Sequence, residues 1–314
     1  MRPEQIQEII ECLPKGRTKF YYFRDRYCLD LLSWFVGEGK TVTEVKRSRY
    51  ARLLRKPSLR KLCARLPDGW LSRDRLLSAW PPRPYAFLLT LGRWGETASN
   101  WRTWWQMSRP GANLVLQMNF SEMHNQRYRK LIQPREGHPF ECSVHPVHTD
   151  GRLSLGWARL DVDLDAGEAL IEEIQNDWIR DALAAAVWQN GAAGAERWIY
   201  GQAVGADRAS LRRYQLEVIA PYAKIWDEAL LLAALWFLRE ELGVRRVYYH
   251  TFESGNLLKG IEWRKPPRSL YTTLPRRFCF QETAEPPRLL AAAPCRPLRK
   301  RVRQGGFRWF LLDL

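Results

Sequence analysis

Paired cysteines are missing from this 314-residue chain: Cys12, Cys28, Cys63, Cys142, Cys279 and Cys295 are scattered, and none belongs to a C-x-x-C pair. That spacing excludes a dense disulfide scaffold and a cysteine-only zinc site, and it favours a reducing compartment. Long apolar runs are missing too. No window approaches the roughly 18 apolar residues of a spanning helix, and MRPEQIQEIIECLPKG at the N-terminus has no apolar signal core. The expectation is a cytoplasmic protein with no membrane partner. Acidic residues are few beside basic ones, 34 against 50, which leaves a formal charge of +16. Such an excess favours polyanionic partners, nucleic acid first. A hydrophobic content of 46% with 12% aromatic residues is that of a folded chain.

Residues 1–82 read as a basic helical domain. TVTEVKRSRYARLLRKPSLRKLCARLPDGWLSRDRLLSAW (41–80) divides into three short helices, broken at Pro57 and at Pro67–Gly69, with Ser72 as an N-cap. Val42, Val45, Tyr50, Leu53 and Leu54 share a buried face. Arg47, Arg49, Arg52, Arg55, Lys56, Arg60 and Lys61 fall mostly outside it, either as a solvated surface or as phosphate contacts in a helix-turn-helix-like unit. WPPRPYAFLLTLGRWG marks a boundary, because its prolines end the helical region.

Residues 83–285 alternate strands and helices, with strands at 85–91, 113–120, 153–164, 168–177, 245–252 and 276–282 and helices near 121–132, 178–189 and 207–242. That order predicts an α/β (α+β) protein with a mixed sheet. Residues 286–306 read as a basic linker, whose 296–303 stretch offers further phosphate contacts, and 307–314 as a C-terminal strand that returns to the sheet or docks on a partner.

LSLGWARLDVDLDAGEALIEEIQND contains a hairpin. A three-residue loop, Asp165-Ala166-Gly167, would pair Leu164 with Glu168 and set Arg159 opposite Glu173. Side-chain alternation then puts Ala158, Leu160, Val162, Leu164, Leu170 and Ile174 on one face, interrupted by Glu172. Trp157, Arg159, Asp161, Glu173, Gln175 and Asp177 share the other. Two readings follow: a cross-strand ion pair on a wet sheet face, or a cleft in which Glu173 is a base, Gln175 and Asp177 hold polar groups and Trp178 forms a stacking wall.

His250, the alternative base to Glu173, closes the strand VRRVYYH, at the carboxyl end where open α/β sheets place ligands. After it, Ser254, Gly255 and Asn256 with Lys259 either cap a helix or cradle an anionic cofactor of unknown identity. HPFECSVHPVH sets His138, Cys142, His145 and His148 close together, but H-x3-C-x2-H-x2-H matches no standard zinc finger, and no metal site is assigned.

GEALIEEIQNDW, then WDEALLLAALWFLREELGVRRVYYHT and LYTTLPRRFCF, resembles a segment of large polyvalent phage and mobile-element proteins. In that segment a strand reading E-I-Q-S-D-W precedes a W-x-E helix, a strand and a Y-x-x-L-P turn. The likeness spans about residues 167–280 and implies a phage or bacterial context. The same element order is similar to the second half of a GNAT-class acyltransferase, which implies a GNAT-like sheet, a transferase activity and a place for Tyr271 as acid. The pyrophosphate-binding turn of that class, Gln/Arg-x-x-Gly-x-Gly/Ala, is not reproduced: WQNGAAGAERW has Gln189 and glycines at another spacing.

Overall fold

The computed structural model describes residues 1–13, 18–95, 106–142, 144–146, 152–189, 197–263 and 265–314. Its centre is one eight-stranded mixed sheet. The strands are β1 (Thr18–Tyr22), β2 (Tyr85–Trp94), β3 (Asn113–Asn119), β4 (Ser154–Asp163), β5 (Glu168–Gln175), β6 (Arg246–His250), β7 (Gln281–Thr283) and β8 (Trp309–Asp313). Their order across the sheet is β1-β2-β3-β4-β5-β6-β8-β7. Neighbours pair antiparallel except β5 and β6, which run parallel, with Tyr249 beside Ile171.

Alternation along the strands separates two faces. Phe87 and Leu89, Leu114 and Leu116, Ala158 and Leu160, Ala169 and Ile171, Val247 and Tyr249, and Phe310 and Leu312 all enter the main core. The helix Trp226–Trp236 joins them there, its side chains buried nearly all round as its continuous apolar sequence requires. Leu170, Tyr248 and Trp309 point the other way, into a smaller cluster with Leu258, Leu289, Leu290, Val302 and Phe307.

Three expectations are corrected. The boundary at 82/83 does not separate two cores: β1 pairs with β2, and Ile6, Leu32, Val45, Leu53 and Leu71 belong to the same cluster as the sheet. Residues 286–306, expected as a basic linker, carry two helices that pack on the fold. Arg288–Ala291 and Arg296–Gln304 are helices, because Leu289, Leu290 and Val302 have apolar surface to cover on the second sheet face. The strand expected over 276–282 shrinks to Gln281–Thr283, since Thr273–Arg277 is helical and Phe278 turns inward to stack on Tyr27 at 4.3 Å. The C-terminal strand does return to the sheet, between β6 and β7. No helix among the described residues is long and apolar enough to cross a membrane.

The helix Glu122–Ile132 brings a histidine into the main core, among Phe120, Tyr128 and Tyr214. His124 lies flat on Phe120 at 3.6 Å and its Nε2 is 3.0 Å from the Tyr214 hydroxyl. Burial pulls its pKa down to about 4, a shift that the contact with Asn125 opposes. The folded-state value lies below the unfolded value of 6.5. Stability from this group is therefore present above pH 6.5 and is lost as pH falls toward 4. The expected loss from pH 7.5 to pH 4 is on the order of 3 kcal/mol. Urea unfolding across that range measures it, and the slope should flatten in His124→Gln.

Candidate functional site

The hairpin of β4 and β5 decides where the polar side chains go. Its turn is four residues long, with Asp163 rather than Leu164 paired to Glu168, and Gly167 at φ 62°. The Asp163 carboxylate accepts the Ala166 N–H at 3.1 Å. A turn one residue longer than expected would flip the whole strand. Instead the register shifts once more: Leu160 faces Ile171, Arg159 faces Glu173, and Glu172 is the extra residue of a β-bulge between them. Ile171 and Ile174 therefore both reach the main core, and Leu170 faces the other side with Tyr248. Glu172 leaves the apolar face that simple alternation assigns to it and bonds to His250.

Glu172 and His250 are both fully buried. Ser108 donates its backbone N–H to Glu172 Oε1 at 3.1 Å and its hydroxyl to Oε2 at 2.8 Å. His250 Nε2 is 3.1 Å from the same Oε2 and 2.9 Å from Ser108 Oγ. Lys259 donates to the Glu172 backbone carbonyl at 2.8 Å. Burial alone would raise the Glu172 pKa. His250 outweighs it, through its hydrogen bond and its charge, together with the charges of Lys259 and Arg159, and holds the carboxyl at about 2. Burial lowers the His250 and Lys259 values.

A carboxylate only accepts, so Nε2 carries the His250 proton, and buried Nδ1 has no partner among the described residues. Ser, His and Glu meet here, yet both contacts fall on one ring nitrogen. In a nucleophile relay the acid holds Nδ1 while Nε2 takes the serine proton. This cluster lacks that division of roles and acts as a buried hydrogen-bond knot.

Arg159, fully buried, bonds to Glu173, donates to the Gln106 carbonyl at 2.9 Å and lies against the rings of Trp94 and Trp157 at 5.2 and 5.8 Å. The expected partnership exists, but it is enclosed and does not form a wet face. Asp161 is likewise buried and takes a two-point contact from Arg109, with the Met1 ammonium at 2.9 Å. Farther along, Asp177 binds His145 Nδ1 at 2.6 Å, the Gln175 amide at 2.8 Å and Arg180 at 3.0 Å. Burial raises its pKa less than these three partners lower it. Trp178 is no stacking wall: it is buried in the core, with its indole N–H donated to Tyr214 at 2.8 Å.

The turn after β6 is occupied by its own hydrogen bonds. Thr251 caps the helix Phe252–Leu258 by accepting the Ser254 N–H, Ser254 Oγ accepts the Arg308 N–H at 2.9 Å, and the Asn256 amide donates to Phe252 O at 2.7 Å. Gly255 is required by space, because a Cβ there would stand 2.9 Å from His250 Cβ and 3.1 Å from Cγ. In a helix interior alanine normally gains about 1 kcal/mol over glycine. Gly255→Ala is instead expected to destabilise by about 1–3 kcal/mol, since the β6 side chain must shift out of a packed site. Thermal unfolding checks the sign, and a raised midpoint would show that His250 is free to move.

Outside the same wall lies an open cleft of about 580 Å³, lined by Thr251, Glu253, Ser254, Arg268, Tyr271, Thr272, Arg276, Glu282, Gly306, Arg308 and Phe310. Tyr271 separates it from the buried knot: the ring is 5.6 Å from Lys259 Nζ, and its buried hydroxyl has no partner among the described residues.

The basic residues of 46–65 do not line this cleft. Lys46, Arg47, Arg52, Arg55, Arg60, Lys61 and Arg65 are exposed. Arg49 and Lys56 are committed to the fold, Arg49 to Asp313 and Lys56 to Asp25 at 2.7 Å. The supporting helices, Val42–Lys46 and Pro57–Cys63, are shorter than three turns. In the histidine cluster, His138 contacts the Tyr128 hydroxyl at 3.2 Å and His145 binds Asp177, while His148 lies outside the described residues. Among the described residues no group of three or more His, Cys, Asp and Glu side chains is placed to hold a metal ion.

The sequence singles out Glu173, Gln175, Asp177 and His250 as candidates, but gives no sign of Ser108 or of the contacts of Glu172. Ser108 is 64 positions from Glu172 and 142 from His250, with no local pattern to mark it. Compared with known proteins, the chain matches no family model, no curated protein and no solved structure.

Proposed function

We propose that the protein binds nucleic acid through the exposed basic surface of residues 46–65, with Arg47, Arg52, Arg55, Arg60 and Lys61 contacting phosphates. The observation that carries this reading is that these five side chains are exposed and have no carboxylate partner among the described residues, whereas many other basic side chains in the fold do. Unpaired surface guanidinium and ammonium groups at this density keep their counterions until a polyanion displaces them. Arg296, Lys300 and Arg303, exposed on the helix Arg296–Gln304, add a second basic surface. The test is fluorescence anisotropy with short DNA and RNA duplexes and single strands over a salt titration, which should give a straight line of log affinity against log salt with a steep negative slope.

The polyvalent-protein resemblance agrees with a nucleic-acid context. The GNAT-like transferase reading draws less support. Glu173 is buried against Arg159 and His250 against Glu172 and Ser108, both closed off from solvent, and the pyrophosphate turn of that class is absent from the Gln189 segment.

A further inference from the structure

We propose that the cleft beyond the carboxyl end of β6 is a binding site for a small diphosphate-bearing molecule, gripped by Arg276 and Arg308. This site is separate from the basic surface of residues 46–65 and does not depend on it.

Three guanidiniums and two carboxylates line the cleft, so positive charge is in excess. Its arrangement matters more than its sum. Glu253 is taken by Arg268. Glu282 serves both of the others, with Arg308 Nε at 2.6 Å and Arg276 Nη2 at 4.0 Å. The Glu282 carboxylate marks the point where an anion sits between two forks, and the 4.0 Å separation leaves Arg276 underused. Arg276 is 60% exposed and Arg308 52%, so both present free N–H groups to the cleft. Planar forks of this kind recognise phosphate by two parallel hydrogen bonds.

Size and surroundings agree. A volume of about 580 Å³ is far more than one phosphate fills and lies within the range of small-molecule sites. The Arg276 guanidinium lies 5.8 Å over the Phe310 ring, which holds it at the cleft wall. The Ser254 hydroxyl has its oxygen occupied by the Arg308 N–H, and its own proton remains for a ligand oxygen. Glu282 lies on β7, the edge strand, where little packing stops it from swinging away when a stronger anion arrives.

Isothermal titration calorimetry of the full chain with pyrophosphate at about 0.1 M salt tests the proposal, an ionic strength that screens loose surface attraction beyond about 10 Å. Expected is saturable one-site binding, at least about tenfold weaker in Arg276→Ala/Arg308→Ala because two charge-assisted contacts are lost. Glu282→Gln should bind more tightly than the parent, which a merely structural role for Glu282 would not produce. Arg55→Glu/Arg60→Glu, which weakens the nucleic-acid surface without touching the cleft or Cys279, should bind pyrophosphate as the parent does. No saturable heat would overturn the proposal. So would equal binding by the Arg276→Ala/Arg308→Ala variant, or occupancy of the cleft by oligonucleotide alone.

Discussion

Arg159→Met is expected to lower the unfolding free energy by about 3–5 kcal/mol, the usual cost of leaving one member of a buried ion pair alone. The residue is fully buried, it bonds to Glu173 and to the Gln106 carbonyl, and two tryptophan rings flank it. Methionine keeps much of the volume but leaves the Glu173 carboxylate in a dry site without its hydrogen-bonded partner, with only the Lys259 charge nearby. The Arg159 charge also helps to keep Glu172 ionised, so the penalty spreads to the Ser108 and His250 contacts. Chemical denaturation at pH 7 measures the loss. Arg159→Met/Glu173→Leu should recover most of it, because removing both charges removes the desolvation problem. A loss below about 1 kcal/mol for the single variant would mean that the pair is solvated as a surface pair is.

Reversing charge at Arg52, Arg55 and Arg60 is expected to weaken nucleic-acid binding by about 100-fold or more at about 0.1 M salt. Each phosphate contact releases counterions and adds about −0.9 to the salt slope on duplex DNA. Three lost contacts should flatten that slope by roughly 3, and three added carboxylates repel the backbone besides. Arg55 and Arg60 are exposed and leave the core untouched, while Arg52 also reaches the buried Cys279 thiol, so any small loss of unfolding temperature should come from that position. Anisotropy titrations at two salt concentrations read both quantities. Unchanged affinity with an unchanged slope would remove the surface of residues 46–65 from the binding reading and leave the helix Arg296–Gln304 as the alternative footprint.

Local patterns were legible wherever one period persisted. Strands β3, β4 and β6 follow from alternating apolar residues, the helix Trp226–Trp236 from a run apolar on every side, and the Ser72 cap from its place before a helical pattern. The opposition of Arg159 to Glu173 came out as expected only because the bulge at Glu172 offsets a turn one residue longer than the sequence suggests. Misreadings arose where distant partners intervened. Residues 286–306 have few apolar positions, and their helices exist because the second sheet face offers Leu170, Tyr248 and Trp309 as a surface to pack on. Strand β1 was hidden in a basic helical region, since its pairing partner begins more than sixty residues later.

The sequence by itself determined the mixed α/β character, the positive surface and the row of acidic and amide side chains along β5, since composition and a two-residue period act locally. Only the tertiary structure decided what that row is for. The bulge at Glu172 turns two consecutive carboxylates toward one face, and the parallel pairing of β5 with β6 brings His250 beside them. Ser108 and Arg159 then enclose both charges in a dry interior. A buried carboxylate persists only with such partners, and these partners lie from 14 to 78 positions away along the chain.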